Sequence, residues 1–256
     1  MNKAGHLDIL DYAVSLVSIP GETESGDLFV VKENSVGVLI GVVDGLGHGS
    51  EAAEAARIAV QTMNENADES IISITRYCHE KLKSTRGVVM SLASINKSEG
   101  TIAWLGVGNV TGILLRSNLN TTPVYESIVM RAGVVGYNLP PLYASVVTIF
   151  KGDILIFSTD GIKEDYIPRI ISDAGNASEQ MRQANENALR VNMGNIPEHR
   201  TTGGSHSHIH LHTNEPSLFR KGKIDLTPEG LANYICNNFK KGSDDALVTV
   251  AKFDGE

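Results

Sequence analysis

The chain has 256 residues, 41% of them hydrophobic and 20% charged, with a net charge of −8 at pH 7. That length and apolar content suit a globular domain with a sizeable core and exclude disorder throughout. The acidic balance, with no clustered run of Lys and Arg, excludes a nucleic-acid footprint, and no apolar run approaches the roughly 20 residues of a membrane-spanning helix.

Tyr12 to Ser18 reads as a short strand, followed by a turn through Pro20-Gly21 and Ser25-Gly26. Asp27 to Lys32 and Val36 to Val43 are apolar, β-branched runs around Glu33-Asn34-Ser35, the pattern of a hairpin. Ser50 opens an alanine-rich stretch of strong helix formers and is placed to cap it. A second helix is predicted from Asp68 to about Leu82. Six strands follow: Val88 to Ile95, Thr101 to Gly106, Val110 to Arg116, Val124 to Met130, Ser145 to Phe150 and Asp153 to Ser158. Thr227 caps a last helix with Pro228 at its first position, and Ala246 to Phe253 is a final strand. Many closely spaced strands with helices in blocks predict an α+β sandwich flanked by helices rather than a doubly wound parallel sheet. One domain over 1–256 is expected, with a polar, His-rich insertion at about 167–223. That region holds His199, His206, His208, His210 and His212, which read as a solvated segment or a transition-metal tract. Cys78 and Cys236 are too few and too far apart for a disulfide framework. With no signal-type segment at Met1 to Leu10, a cytoplasmic location is expected.

Four aspartates share a context. Asp27 follows Gly26 at a strand start. Asp44 and Asp160 each end an apolar strand and precede Gly45 and Gly161. Asp244 stands with Asp245 just before the last strand. One Asp-Gly is an ordinary turn; four acidic strand edges suggest a site. Carboxylates gathered together repel unless a cation lies between them, and oxygen ligands suit Mg2+ or Mn2+. The glycine-rich segment Asp44-Gly45-Leu46-Gly47-His48-Gly49-Ser50 matches neither the phosphate-loop nor the dinucleotide pattern. Asn109, in Gly108-Asn109-Val110, reads as a turn residue, and Gly133, Gly136, Pro140 and Pro141 read as loop formers.

Taken in order, Gly26-Asp27, Val43-Asp44-Gly45-Leu46-Gly47-His48-Gly49, Ser158-Thr159-Asp160-Gly161 and Asp244-Asp245-Ala246 resemble the motifs of PPM-type protein phosphatases. The resemblance is strongest to the bacterial branch of SpoIIE, RsbU and RsbX. Leu105 to Val110 and Arg131 to Gly136 look like RsbX-type members in particular. The resemblance implies a β-sandwich of two antiparallel sheets between helices and a centre of two Mn2+ or Mg2+ ions. Asp44 would bridge the ions, the Gly45 carbonyl would ligate one, Asp160 and Asp244 would hold the other, and Asp27 would join directly or through water. Asp44 and Asp160 are thus the catalytic candidates, with His48 and Asp245 as possible supporting residues around the ligands. The implied substrate is a phosphoserine or phosphothreonine on a bacterial regulatory protein, a STAS-domain protein of the stressosome or an anti-sigma antagonist. The alternative is a catalytically weak or dead module that binds a phosphoprotein. Two departures from many eukaryotic relatives stand out: Leu46 occupies the place where they carry a histidine, and the arginine they carry upstream of the first acid is missing here, the first arginine being Arg57.

Overall fold

The computed structural model describes residues 2–118, 121–172 and 226–255. Two sheets form the body. One has the order β1(Asn2–Leu7), β2(Leu10–Val17), β12(Ala246–Phe253), β11(Ile154–Ser158), β7(Thr111–Leu115), β8(Tyr125–Ser127). The other runs β10(Ser145–Thr148), β6(Thr101–Val107), β5(Val88–Asn96), β4(Gly37–Gly45), β3(Asp27–Asn34). All these pairings are antiparallel; the short β9(Met130–Arg131) joins β6 in parallel. Helices α1(Ser50–Glu65) and α2(Ile71–Leu82) cover the second sheet. The helical segment α3 (166–172) and α4(Pro228–Phe239) cover the first. This is the predicted α–β–β–α sandwich.

The central strands are apolar on both faces because both faces are buried. On β4, Val38, Ile40 and Val42 enter the core between the sheets, while Leu39 and Val43 pack under the helices. On β12, Leu247, Ala251 and Phe253 point inward and Val248 and Val250 meet α4. Period-two alternation therefore appears as a continuous apolar run. Trp104 and Phe157 are buried in the inter-sheet core. Cys78 and Cys236 are both buried free thiols, and burial pushes the Cys78 thiol up to about 12, which keeps it inert.

Several boundaries differ from the predicted ones for identifiable reasons. β1 has no apolar alternation because it is an exposed edge strand. Ser50 does not cap α1. Gly49 holds the cap position at φ 77° with no side-chain hydrogen bond, and Ser50 is already inside the first turn. Ser70 accepts from the Ser73 N–H at 3.1 Å, so α2 starts later than Asp68. The run Val124 to Met130 divides: β8 pairs with β7 in one sheet and β9 with β6 in the other. The start of the expected insertion is core, since Ile170 is 1% exposed and packs with α4. The five histidines of that region lie outside the described residues. Among the described residues, no helix is long and apolar enough to cross a membrane.

Candidate active site

The hairpin β3–β4 places Asp27 directly opposite Asp44. Opposed residues of an antiparallel pair have Cβ atoms about 4.5–5.5 Å apart. At an effective dielectric near 20, two such charges repel by about 3 kcal/mol. A strand pair selected for stability alone avoids that arrangement.

The first sheet brings the other acids. β11 runs into Asp160, and β12 begins just after Asp244 and Asp245. Thr159 joins the two sheets at this rim. Its backbone N–H donates to the Leu247 carbonyl at 3.1 Å, its hydroxyl accepts from the Leu247 N–H at 2.9 Å, and that hydroxyl donates to Asp27 Oδ2 at 2.7 Å. The four aspartates thus come from four strand ends, two in each sheet.

Their electrostatics reflect crowding. Burial, followed by Asp160, Asp244 and Asp245, pushes Asp44 up to about 7. Burial and the Asp44 charge raise Asp27 well above the usual carboxylate range, against the pull of the Thr159 hydroxyl. Burial and Asp160 also raise Asp244, while Lys241 pulls it back. This is surplus negative charge on oxygen donors, the donor chemistry of a hard divalent cation. The residues fit such an ion in type and charge. Among the described residues, no group of three or more His, Cys, Asp or Glu side chains stands close enough together to hold a metal ion as placed.

The other predicted residues separate by position. Gly45 is buried, and a Cβ there would lie 2.2 Å from the Ala52 carbonyl oxygen, so a glycine lets α1 close on the end of β4. Asp245 uses its carboxylate elsewhere, accepting from the Ile19 N–H at 2.9 Å and the Gly26 N–H at 2.7 Å. It pins the segment that leads into Asp27. His48 is turned outward, with its ring 70% exposed and Nδ1 3.0 Å from Glu22. Two contributors escaped the sequence reading. Asn109, read as a turn residue, donates from Nδ2 to Asp160 Oδ2 at 2.8 Å. It sits where the chain crosses from β6 in one sheet to β7 in the other, and this crossover is the one signal that marks it. Thr159 was visible only as a motif letter, with no sign that it bonds Asp27.

The sandwich of two sheets between helices, with acidic strand ends at one rim, has the fold of PPM-type serine/threonine phosphatases. The family model for stage II sporulation protein E (SpoIIE) matches residues 34–199, and the chain belongs to the SpoIIE family. Asp44 and Asp160 lie within that segment; Asp27 and Asp244 lie outside it and are brought in by β3 and β12. The chain is 30% identical over 160 residues to phosphoserine phosphatase RsbX of Bacillus subtilis (strain 168), covering 61% of this chain and 75% of that one. A crystal structure of RsbX in complex with magnesium matches with a TM-score of 0.70 at 20% identity, covering 99% of this chain and all of that one. A structure from work on the bacterial stressosome matches at 0.68 with 25% identity, covering 95% of this chain and 99% of that one.

Proposed function

We propose that this protein is a metal-dependent phosphatase that removes phosphate from serine or threonine of a bacterial regulatory protein in the cytoplasm. The substrate class is a STAS-domain protein of the stressosome or an anti-sigma antagonist, and the outcome is a reset of stress signalling. The observation that carries the chemistry is the cross-strand pair of buried Asp27 and half-buried Asp44, joined at the rim by Asp160 and Asp244. The substrate class rests on the likeness to RsbX and to the stressosome-associated structure.

Asp27, Asp44, Asp160 and Asp244, with the Gly45 carbonyl, would hold two Mg2+ or Mn2+ ions. Ions bound there supply an acidified water near neutral pH and positive charge against the phosphoryl oxygens. The chain's own groups set the frame. Thr159 holds the Asp27 carboxylate by a charge-assisted hydrogen bond worth about 1.5–3 kcal/mol. Asn109 fixes the Asp160 oxygen it bonds, and such supporting contacts typically change metal affinity about 10–100-fold. Asp245 anchors the backbone at Gly26. His48, exposed and paired with Glu22, takes no part in this frame.

The test is Mn2+-dependent release of phosphate from a phosphorylated STAS-domain protein beside a small chromogenic phosphoester. Contacts remote from the reacting atoms favour the protein substrate. Its kcat/KM is expected to exceed that of the small ester by about 100-fold or more. Equal rates on both would refute a dedicated protein substrate. No turnover of either, with tight binding of the phosphoprotein, would make the chain a binding module.

A further inference from the structure

A phosphomonoester dianion entering a rim of carboxylates on a chain of net charge −8 needs a local cation. No arginine precedes Asp27 in the sequence, and Arg57 is committed on the outer face of α1 to Glu54 at 2.9 Å and Glu24 at 3.2 Å. The fold brings a different arginine to the loop that follows Asp44. Arg86 closes the connection from α2 to β5. The Leu46 N–H donates to the Gly87 carbonyl at 3.1 Å, so the 86–87 backbone lies against the loop that follows Asp44. The Arg86 guanidinium occupies the space over Gly47. A Cβ built on Gly47, whose φ is +90°, would lie 2.6 Å from Arg86 Nη1. Arg86 Nη2 pairs with Glu51, on the first turn of α1, and the side chain stays 49% exposed. Its carboxylate partner is thus Glu51 and none of the four aspartates.

We propose that Arg86 is the phosphate-binding residue of this site, its planar fork taking the non-bridging oxygens of the substrate's phosphoryl group. A guanidinium presents donors in a geometry that matches phosphate, which a lysine ammonium does not. The inference rests on reading the acidic rim as a phosphatase centre. Two other cations are less suited. Arg131 is stacked on Tyr143 at 4.6 Å from the ring centroid. Lys241 is an exposed ammonium whose charge acts on Asp244.

The experiment measures inorganic phosphate in two ways on the full chain. One is its inhibition constant against the chromogenic ester with Mn2+, and the other is its calorimetric dissociation constant with Mg2+. Arg86→Ala is expected to weaken both about 10–100-fold, the worth of a charge-assisted hydrogen bond. Arg86→Lys should recover part of the loss. Glu51→Gln, which frees the guanidinium, should bind phosphate at least as tightly as the wild type. Phosphate constants for Arg86→Ala within about threefold of wild type would overturn the proposal. So would an equal loss in Glu51→Gln, which would make Arg86 a clamp on α1, or a larger loss in Lys241→Ala. Absence of phosphate binding by the wild type would overturn it too. Arg86-dependent phosphate binding without metal-dependent turnover would refute the phosphatase reading and leave this assignment standing. Turnover with Arg86-independent phosphate binding would do the reverse.

Discussion

Replacing Asp44 with Asn is expected to lower Mn2+-dependent phosphoester hydrolysis at least about a thousandfold while the protein stays folded. A loss of that size corresponds to about 4 kcal/mol of barrier, the scale of what a bound metal supplies to a phosphoryl transition state. The fold survives because Asn keeps the shape of Asp44 and removes a charge that Asp27, Asp160 and Asp244 repel. The same substitution carries a pH signature in EDTA. Asp44 titrates at about 7 in the folded metal-free chain, against 3.8 for an ordinary Asp. Its folded-state value is raised, so its contribution to stability is full below about pH 4 and is lost as pH rises through 7. That gap carries at most about 4 kcal/mol. Half of it, ~2 kcal/mol, is about 4–8 °C of melting temperature for a protein of this size. Asp44→Asn without metal should therefore melt higher than wild type at pH 8, with the difference shrinking toward pH 5. Asp27 and Asp244, also raised, act in the same direction in both proteins. Melting curves at the two pH values check this. A difference that stays flat with pH would show that Asp44 is not held in a crowded, buried setting.

Gly161→Ala is expected to be the most damaging small substitution at the rim. A Cβ on Gly161 would lie 1.8 Å from the Asp245 carbonyl oxygen and 3.0 Å from the Ala246 Cα. The contact is backbone, so no side chain can swing away. Relief requires the turn after β11 to part from the start of β12, the two segments that carry Asp160 and Asp244. The Lys241 N–H, which donates to the Gly161 carbonyl at 2.8 Å, would be displaced with it. Overpacking of this kind costs about 3 kcal/mol, or roughly 6–12 °C of melting temperature. Metal affinity should fall with it, because two ligand-bearing segments move apart. A melting temperature within about 2 °C of wild type, with unchanged activity, would contradict this packing.

Much of the fold was legible because it rests on local signals. Pro228 behind Thr227 marked the start of α4, and Thr227 accepts from the Gly230 N–H as a cap should. The β-branched run of Ala246 to Phe253 marked β12. The hairpin was readable from its two runs, and Asn34 closes it by accepting from the Gly37 N–H at 2.8 Å. What escaped depends on position rather than type. β1 is an edge strand and carries no pattern. The cap of α1 went to Gly49 because a positive-φ glycine delivers the chain into the helix.

The four aspartates were legible as an ordered set of acidic strand ends. The register that sets Asp27 against Asp44 follows from the hairpin. The residues that support them were not legible, since their contacts join distant parts of the chain. Asn109 meets Asp160 across 51 residues, and Thr159 meets Asp27 across 132. Arg86 reaches Gly47 through the packing of the α2–β5 connection against the loop after β4. An asparagine after a glycine, or an arginine before one, has no local feature that announces such a contact.

The four carboxylates are proposed to form a divalent metal centre. The most direct measurement is the number of Mn2+ ions bound per chain, by calorimetric titration of the wild type and of Asp44→Asn. Two saturable ions in the wild type, with at least one lost in the variant, are the predicted result. No saturable binding, or the same count in both proteins, would contradict it.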